Sequence, residues 1–306
     1  MFFSGKKSAF GRHETFQLRY SWLTKGFQEL HDDPNLFTSK NATLKLGVGK
    51  NMVNSIRYWM LATQIIESTS KGYEPTELGN SIFSDGGFDK YLEDEATIWL
   101  IHWLLTTNPN IATSWYWFFN IFNKPEFTNT ETTNALQDFI DQNIDSNVAS
   151  STVKKDIDVL LRMYSHKTSS DSVLSEELLD SPLSLLKLIT QSSDNKSYYS
   201  SQEDRNNIPL GVIGFALTSI FASTETNIIS IENLMYMKAK HPALGTVFRM
   251  NESQLLAKLE DLTHYIPEVY SMSDSAGEHQ IYQNNAIQPI EYLKKHYQTP
   301  NIKVAA

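Results

Sequence analysis

Residues 41–78 read NATLKLGVGKNMVNSIRYWMLATQIIESTSKGYEPTEL, and their order of patterns decides the fold. Asn41 to Leu46 fits a short helix, Gly47-Val48-Gly49 a tight turn, and Lys50 to Glu67 a longer helix with Val53, Ile56, Met60 and Ile65 toward a core. Ser68 to Gly72 is polar and turn-rich, Tyr73 to Leu78 fits a short strand, and Asn80 to Phe83 returns toward the body. Upstream, Thr15 to Leu30 puts Phe16, Tyr20, Leu23 and Phe27 on one helical stripe, ended by His31-Asp32-Asp33-Pro34. Helix, short helix, glycine turn, second helix and strand-like wing together predict a winged helix-turn-helix. In such a unit the second helix of the pair presents polar side chains to base edges in a major groove. Lys50, Asn51, Asn54 and Arg57 share one face of that helix. Lys and Arg suit phosphate or guanine, and Asn suits adenine.

The charge supports this reading. The chain has 306 residues and a formal net charge of −9, but residues 1–60 hold nine Lys/Arg against four Asp/Glu. The other 246 residues hold 17 basic and 31 acidic side chains. A basic N-terminal module on an acidic body is the pattern of a localised polyanion site, to which Lys6, Lys7 and Lys45 add. A solvated basic surface, or a winged helix that binds protein, is the alternative. DNA contact is favoured by the basic balance of this module.

Outward from the module, the chain reads as mostly helical with short β-hairpins. Residues 1–87 form the winged-helix-like domain, 88–164 an aromatic-rich helical core, and 165–306 a helical C-terminal domain with a hairpin. Glu95 to Leu105 is apolar nearly all round, so it belongs at the centre. Trp115 to Phe119 forms a second apolar block. An aromatic box for stacking flipped bases is the alternative to core packing there, and core packing is favoured because no Lys or Arg interleaves. Thr133 to Ile144 and Thr152 to Tyr164 read as paired helices, with Lys154, Lys155 and Arg162 as a second face for an anion. Residues 165–206 are Ser- and Asp-rich and suit loops or a junction, with a short helix around Pro182 to Ile189. Helices follow at Pro209–Phe221, Ile231–Ala239 and Asn251–His264, then a hairpin at Val269–Tyr282 and a last helix at Ile290–Tyr297. Two helices followed by a hairpin resemble a second winged-helix unit, without strong basic charge.

Several chemistries are excluded or weakened. With no cysteine, disulfide scaffolds, thiolate zinc sites, iron–sulfur clusters and a cysteine nucleophile are ruled out. The N-terminal MFFSGKKSAF carries two lysines where a signal peptide needs an apolar run, and Ile98 to Leu105 is too short to cross a bilayer. A soluble cytoplasmic protein without membrane partners is expected. Gly47-Val48-Gly49-Lys50 lacks the spacing and hydroxyl of a nucleotide-hydrolysing phosphate loop, though it could grip a DNA phosphate. Arg12-His13-Glu14 is a compact polar triplet in which His13 could act as a base, Glu14 could bind a metal and Arg12 could hold a phosphate. The same three residues also suit a helix start. Glu93, Asp94, Glu95 and His102 form the other acidic–histidine set, but Glu95 and His102 lie about 10 Å apart along one helix. No HExxH or other chelating His/carboxylate spacing occurs.

Phe10-Gly11-Arg12-His13-Glu14-Thr15-Phe16, Leu46-Gly47-Val48-Gly49-Lys50-Asn51-Met52-Val53, Tyr91-Leu92-Glu93-Asp94 and Trp99-Leu100-Ile101-His102-Trp103, with Trp115-Tyr116-Trp117 and Lys155-Asp156-Ile157-Asp158, form a distinctive set. Together they resemble a bacterial family known as a domain of unknown function, which occurs beside DNA phosphorothioation genes. The resemblance covers nearly the whole chain. It implies a protein of a phosphorothioate-modification and phage-defence system that nicks one strand of double-stranded DNA. With no cysteine, the simplest nucleophile for such a step is water, activated by His13 or by a divalent metal such as magnesium held through Glu14 or Glu93. It also implies work beside a cysteine desulfurase, an ATPase and a sulfur-activating enzyme. A non-catalytic DNA-recognition or scaffold subunit and a transcriptional regulator are the other readings. The family supplies no catalytic assignment, so His13, Glu14 and Arg12 carry that role here as an expectation from residue chemistry.

Overall fold

Gly47 takes a φ of +61°, a left-handed conformation that a residue with a Cβ enters at a cost. Its N–H and that of Val48 reach back to the carbonyls of Leu44 and Thr43, which ends α2 (Ala42–Leu46) and lets α3 (Lys50–Ala62) start after a three-residue turn. α1 (Tyr20–Asp32) packs on α3, burying Trp22, Leu23, Phe27 and Leu30 beside Val53, Ile56, Trp59 and Met60. The computed structural model describes residues 3–167, 181–238, 241–275 and 278–299.

Two boundaries differ from expectation. α1 starts at Tyr20 rather than Thr15, because Glu14 and Thr15 hold φ of +51° and +67° and cannot join a right-handed helix. α3 stops at Ala62 rather than Glu67, because Gln64 turns left-handed at φ +57° and the Ile65 N–H donates back to the Met60 carbonyl. The residues released form an antiparallel hairpin, β1 (Ile66–Thr69) and β2 (Gly72–Pro75), with Ile66 opposite Pro75. The hydroxyl of Thr76 then accepts the Gly79 N–H at 2.9 Å and caps α4 (Glu77–Phe83).

The centre of this first unit is aromatic. α5 (Glu95–Thr106) is buried from Ala96 to Thr106, and α6 (Thr113–Asn120) is buried along its length. Trp99, Trp103, Trp115 and Trp117 are all core residues, so none offers a stacking box to solvent. Each large apolar side chain buried this way contributes about 1.5–3 kcal/mol. Trp59 of α3 meets Trp115 edge-on with ring centroids 5.2 Å apart, which ties the helix pair to the aromatic core. α7 (Asn129–Asn143), opened by a capping box of Thr128 and Glu131, lies against α8 (Ser150–Tyr164). Four short strands, β3 (Glu126–Thr128), β4 (Ser165–Lys167), β5 (Ile189–Gln191) and β6 (Ser197–Tyr199), form a sheet in the order β3-β6-β5-β4. β4 and β5 are parallel and the other pairs antiparallel. The expected helix near Pro182 is a short 3₁₀ segment, Pro182–Leu186.

The described chain divides into two units, 1–201 and 202–306. Segments 1–87 and 88–164 both fall within the first, and 165–306 spans the boundary. In the second unit α9 (Leu210–Ala222) is buried from Gly211 to Phe221 and packs on α13 (Ile290–Gln298). Between them run β7 (Ile228–Ser230), α10 (Ile231–Met235), α11 (Leu244–Val247), α12 (Glu252–Tyr265), β8 (Tyr270–Ser275) and β9 (Glu278–Gln283). The expected helix Ile231–Ala239 stops at Met235, and its last expected residue lies outside the described set, as do Ala276 and Gly277 of the expected hairpin. The strands pair antiparallel in the order β7-β9-β8. Among the described residues no helix is long and apolar enough to cross a membrane.

Candidate nucleic-acid interface

The loop before α1 is held in a conformation its sequence does not favour. Gly11, Glu14 and Thr15 all have positive φ, and a Cβ on Gly11 would lie 2.9 Å from the Thr152 methyl of α8. Left-handed backbone at residues other than glycine costs on the order of 1–3 kcal/mol each, so the surroundings must impose it. Asp156 of α8 anchors the loop at Gly11 and His13. It is 1% exposed and accepts from the Gly11 N–H at 2.8 Å, His13 Nε2 at 2.9 Å and the Ser114 hydroxyl at 2.6 Å. The Thr15 N–H donates to His13 Nδ1 at 3.1 Å. Because a backbone N–H can only donate, Nδ1 accepts and the ring proton resides on Nε2, facing Asp156. Arg162 adds a bond from its guanidinium to the Thr15 carbonyl at 3.0 Å.

His13 is therefore a brace. It is 1% exposed, both ring nitrogens are engaged, and its ring stacks on Trp59 and meets Trp115 edge-on. Its neighbours Arg12 and Glu14 face a cleft of about 700 Å³ instead. Asn51, Asn54 and Arg57 of α3 form one wall of that cleft, the loop 10–15 another, and Thr152 and Lys155 of α8 also line it. Arg57 lies over the ring of Tyr73 from β2, 5.6 Å from its centroid, which fixes the direction of the guanidinium. Arg12, Arg57 and Lys155 thus meet a single carboxylate, Glu14, among the described lining residues. Concave low-dielectric walls with an excess of one sign concentrate the field on an incoming anion. The phenol of Tyr58, at the base of the cleft, is pushed well above its usual range by burial and by Asp156, so it remains neutral.

The other expected contacts are dispersed. Lys50 lines an adjoining recess of about 290 Å³ with Lys40 and Thr43, and Asn54 borders both hollows. Lys45 is paired with Asp33 at 3.0 Å, which holds that carboxyl below its ordinary range. Lys6 and Lys7 are exposed on a turn closed by a Ser4–Lys7 bridge, where the Asp145 N–H donates to the Gly5 carbonyl; neither lines the cleft. In the second acidic–histidine set, Asp94 caps α5 through the Ala96 N–H, Glu95 accepts from the Trp99 indole at 3.2 Å, and fully buried His102 meets the Tyr164 hydroxyl at 2.8 Å. These are helix-start and core contacts. Among the described residues no three His or acidic side chains converge as a metal cage. Lys155 and Tyr73 complete the cleft but share no sequence spacing with residues 12–57. Only the Lys154/Lys155/Arg162 cluster hinted at Lys155, and nothing marked Tyr73.

The fold and the cleft define a mostly helical, two-unit protein with a concave basic site built on the loop 10–15, α3, Tyr73 of β2 and the start of α8. The chain belongs to the family described as "Protein of unknown function (DUF4007)", whose pattern matches residues 10–297. Among solved structures it is similar to one described as "Magnesium ion-bound SspB crystal structure", with 27% identity and a TM-score of 0.84 over 96% of this chain and 90% of that one. A second, "SspB crystal structure", gives 26% identity and a TM-score of 0.83 over 97% and 92% of the two chains. No curated protein matches the chain.

Proposed function

We propose that the cleft holds DNA by its phosphates, and that the chain is the DNA-engaging component of a bacterial phosphorothioate-modification and phage-defence system. The observation that carries this is the convergence of Arg12, Arg57 and Lys155, from three separated segments, on one concave surface. Phosphate contacts by such cations dominate DNA affinity and fix the register of a complex. The likeness to SspB supports the place in the system. In this reading α2, α3 and the β1–β2 hairpin form a winged-helix-like module that engages DNA through the cleft rather than by laying α3 in a major groove, and the partners are double-stranded DNA, a cysteine desulfurase, an ATPase and a sulfur-activating enzyme.

The proposal extends to nicking of one strand. Hydrolysis of a phosphodiester needs charge neutralisation at the phosphate and a group to take the proton of the attacking water. Arg12, Arg57 and Lys155 supply the first. Glu14 is the titratable base that faces the cleft, while His13 keeps the loop in place. The described residues build no metal cage. Magnesium prefers one or two carboxylates together with water and phosphate oxygens. Glu14 beside a bound phosphate fits that set, and the ion would neutralise phosphate charge there.

One gel tests both levels. Purified protein, with and without magnesium and the system partners, is incubated with supercoiled plasmid. Retarded plasmid and conversion to open circles are expected from the wild type, and retardation without conversion from Glu14→Gln. Retardation by the wild type that never yields open circles reduces the protein to a recognition or scaffold subunit. Binding confined to one upstream operator would make it a regulator.

A further inference from the structure

From the shape of the same cleft, and resting on the DNA reading above, we infer that it receives a single unpaired nucleotide drawn out of the duplex. A helix that reads the major groove must stand proud of its surroundings, because the groove is about 12 Å wide and 8.5 Å deep. α3 does not present its polar face that way. Asn51, Asn54 and Arg57 look across a hollow at the loop 10–15 and the start of α8. The hollow of about 700 Å³ is the size of a small-ligand site, which spans roughly 300–1,000 Å³.

Its lining has the three chemistries a nucleotide requires. Exposed Arg12 and Lys155 stand at the rim, where a backbone phosphate would pass. Tyr73 is half-buried, with Phe37 packed on its ring at 5.8 Å between centroids and the guanidinium of Arg57 over it, so the surface offered to a base is that of the Arg57–Tyr73 pair. The half-buried amide of Asn54 offers a donor and an acceptor to a base edge. The tryptophan-rich segment cannot do this work, since its rings lie in the core. Extruding a paired nucleotide costs a few kcal/mol of unstacking and unpairing, and a base already unpaired reaches the pocket without most of that cost. A bulged nucleotide should therefore bind more tightly than a paired one.

The full chain is titrated by fluorescence anisotropy against three labelled DNAs: a perfect duplex, the same duplex with a one-nucleotide bulge, and the same duplex with an abasic bulge. The bulged nucleotide is expected to bind about tenfold tighter than the perfect duplex, and tighter than the abasic bulge, which has the same backbone freedom but no base. Tyr73→Ala and, independently, Asn54→Ala should bring the bulged duplex down to the affinity of the abasic one, with thermal melting confirming that each variant is folded. Equal affinity for all three DNAs would overturn this inference and leave the DNA reading standing. Binding to none would remove both. Displacement of the bulged duplex by micromolar free deoxynucleoside monophosphate would assign the cleft to free nucleotides and overturn the inference as well.

Discussion

Among the described residues two helix-then-hairpin modules stand out, and they carry opposite charge. In the first, α3 is followed by β1 and β2, and its accessible side chains include Lys50, Asn51 and Arg57. In the second, α12 is followed by β8 and β9, and its exposed positions include Glu252, Glu260, Asp261 and His264. The second helix also has a lysine, Lys258, but it is buried and donates to the carbonyls of Asn206 and Ile208 at 2.9 and 2.7 Å. The same order of elements therefore presents a basic surface in one place and an acidic one in the other. The scaffold does not choose the ligand. The charge set out on the helix, and what stands opposite it, does that.

The comparison breaks most easily at Asp156, which shapes the cleft beside α3 and has no equivalent role described around α12. Asp156→Ala leaves three donors without their acceptor, and hydrogen bonds to charged groups contribute roughly 1.5–3 kcal/mol each, not additively. Denaturant unfolding should show a loss on the order of 3 kcal/mol or more. A loss within experimental scatter would mean that the loop 11–15 holds itself. Next in size is Lys155→Glu, which reverses a rim charge. Duplex affinity at low salt should fall by about tenfold or more, and the salt dependence should flatten by about one phosphate contact.

Lys258→Met sharpens the contrast between inward and outward lysines. Leaving two carbonyls without a donor should cost about 1–3 kcal/mol of stability, with DNA affinity within about twofold of wild type. Burial lowers the Lys258 pKa, so the unfolded chain binds this proton more readily than the folded one. The contribution of Lys258 to stability therefore rises with pH toward the ordinary lysine value and is lost as pH falls through the lowered one. Urea unfolding of wild type and Lys258→Met at about pH 8 and pH 10 should show the wild type gaining relative to the variant. The smallest effect belongs to the acidic face itself. Glu260→Gln with Asp261→Asn should change neither duplex affinity nor stability beyond about twofold and 0.5 kcal/mol. A large change in binding would place DNA on the second module too.

The contrast also marks what could be read along the chain. The short helix, glycine turn and long helix around Gly47 were legible because local rules govern them: a left-handed glycine, apolar spacing and a polar face. The central position of α5 and α6 was legible from composition alone. The start of α1 was not, because Glu14 and Thr15 are left-handed in a loop anchored through Gly11 and His13 to Asp156, more than 140 residues away. The same distant carboxylate separates His13 from Arg12 and Glu14, which look equivalent as a triplet and face opposite ways in the fold. Lys155 reaches the cleft through the packing of α8, and Tyr73 through the hairpin that Gln64 releases, so neither has a spacing signal.

On the proposed DNA reading, Arg12, Arg57 and Lys155 come from separate segments to make one phosphate-binding surface. Its most direct test is a salt titration of duplex binding by fluorescence anisotropy, comparing wild type with Arg12→Ala/Arg57→Ala/Lys155→Ala, both shown to be folded. The wild-type affinity should fall steeply with salt, and the triple variant should bind weakly with a slope shallower by about two contacts or more. A wild type indifferent to salt, or a triple variant that binds as tightly as the wild type, would contradict it.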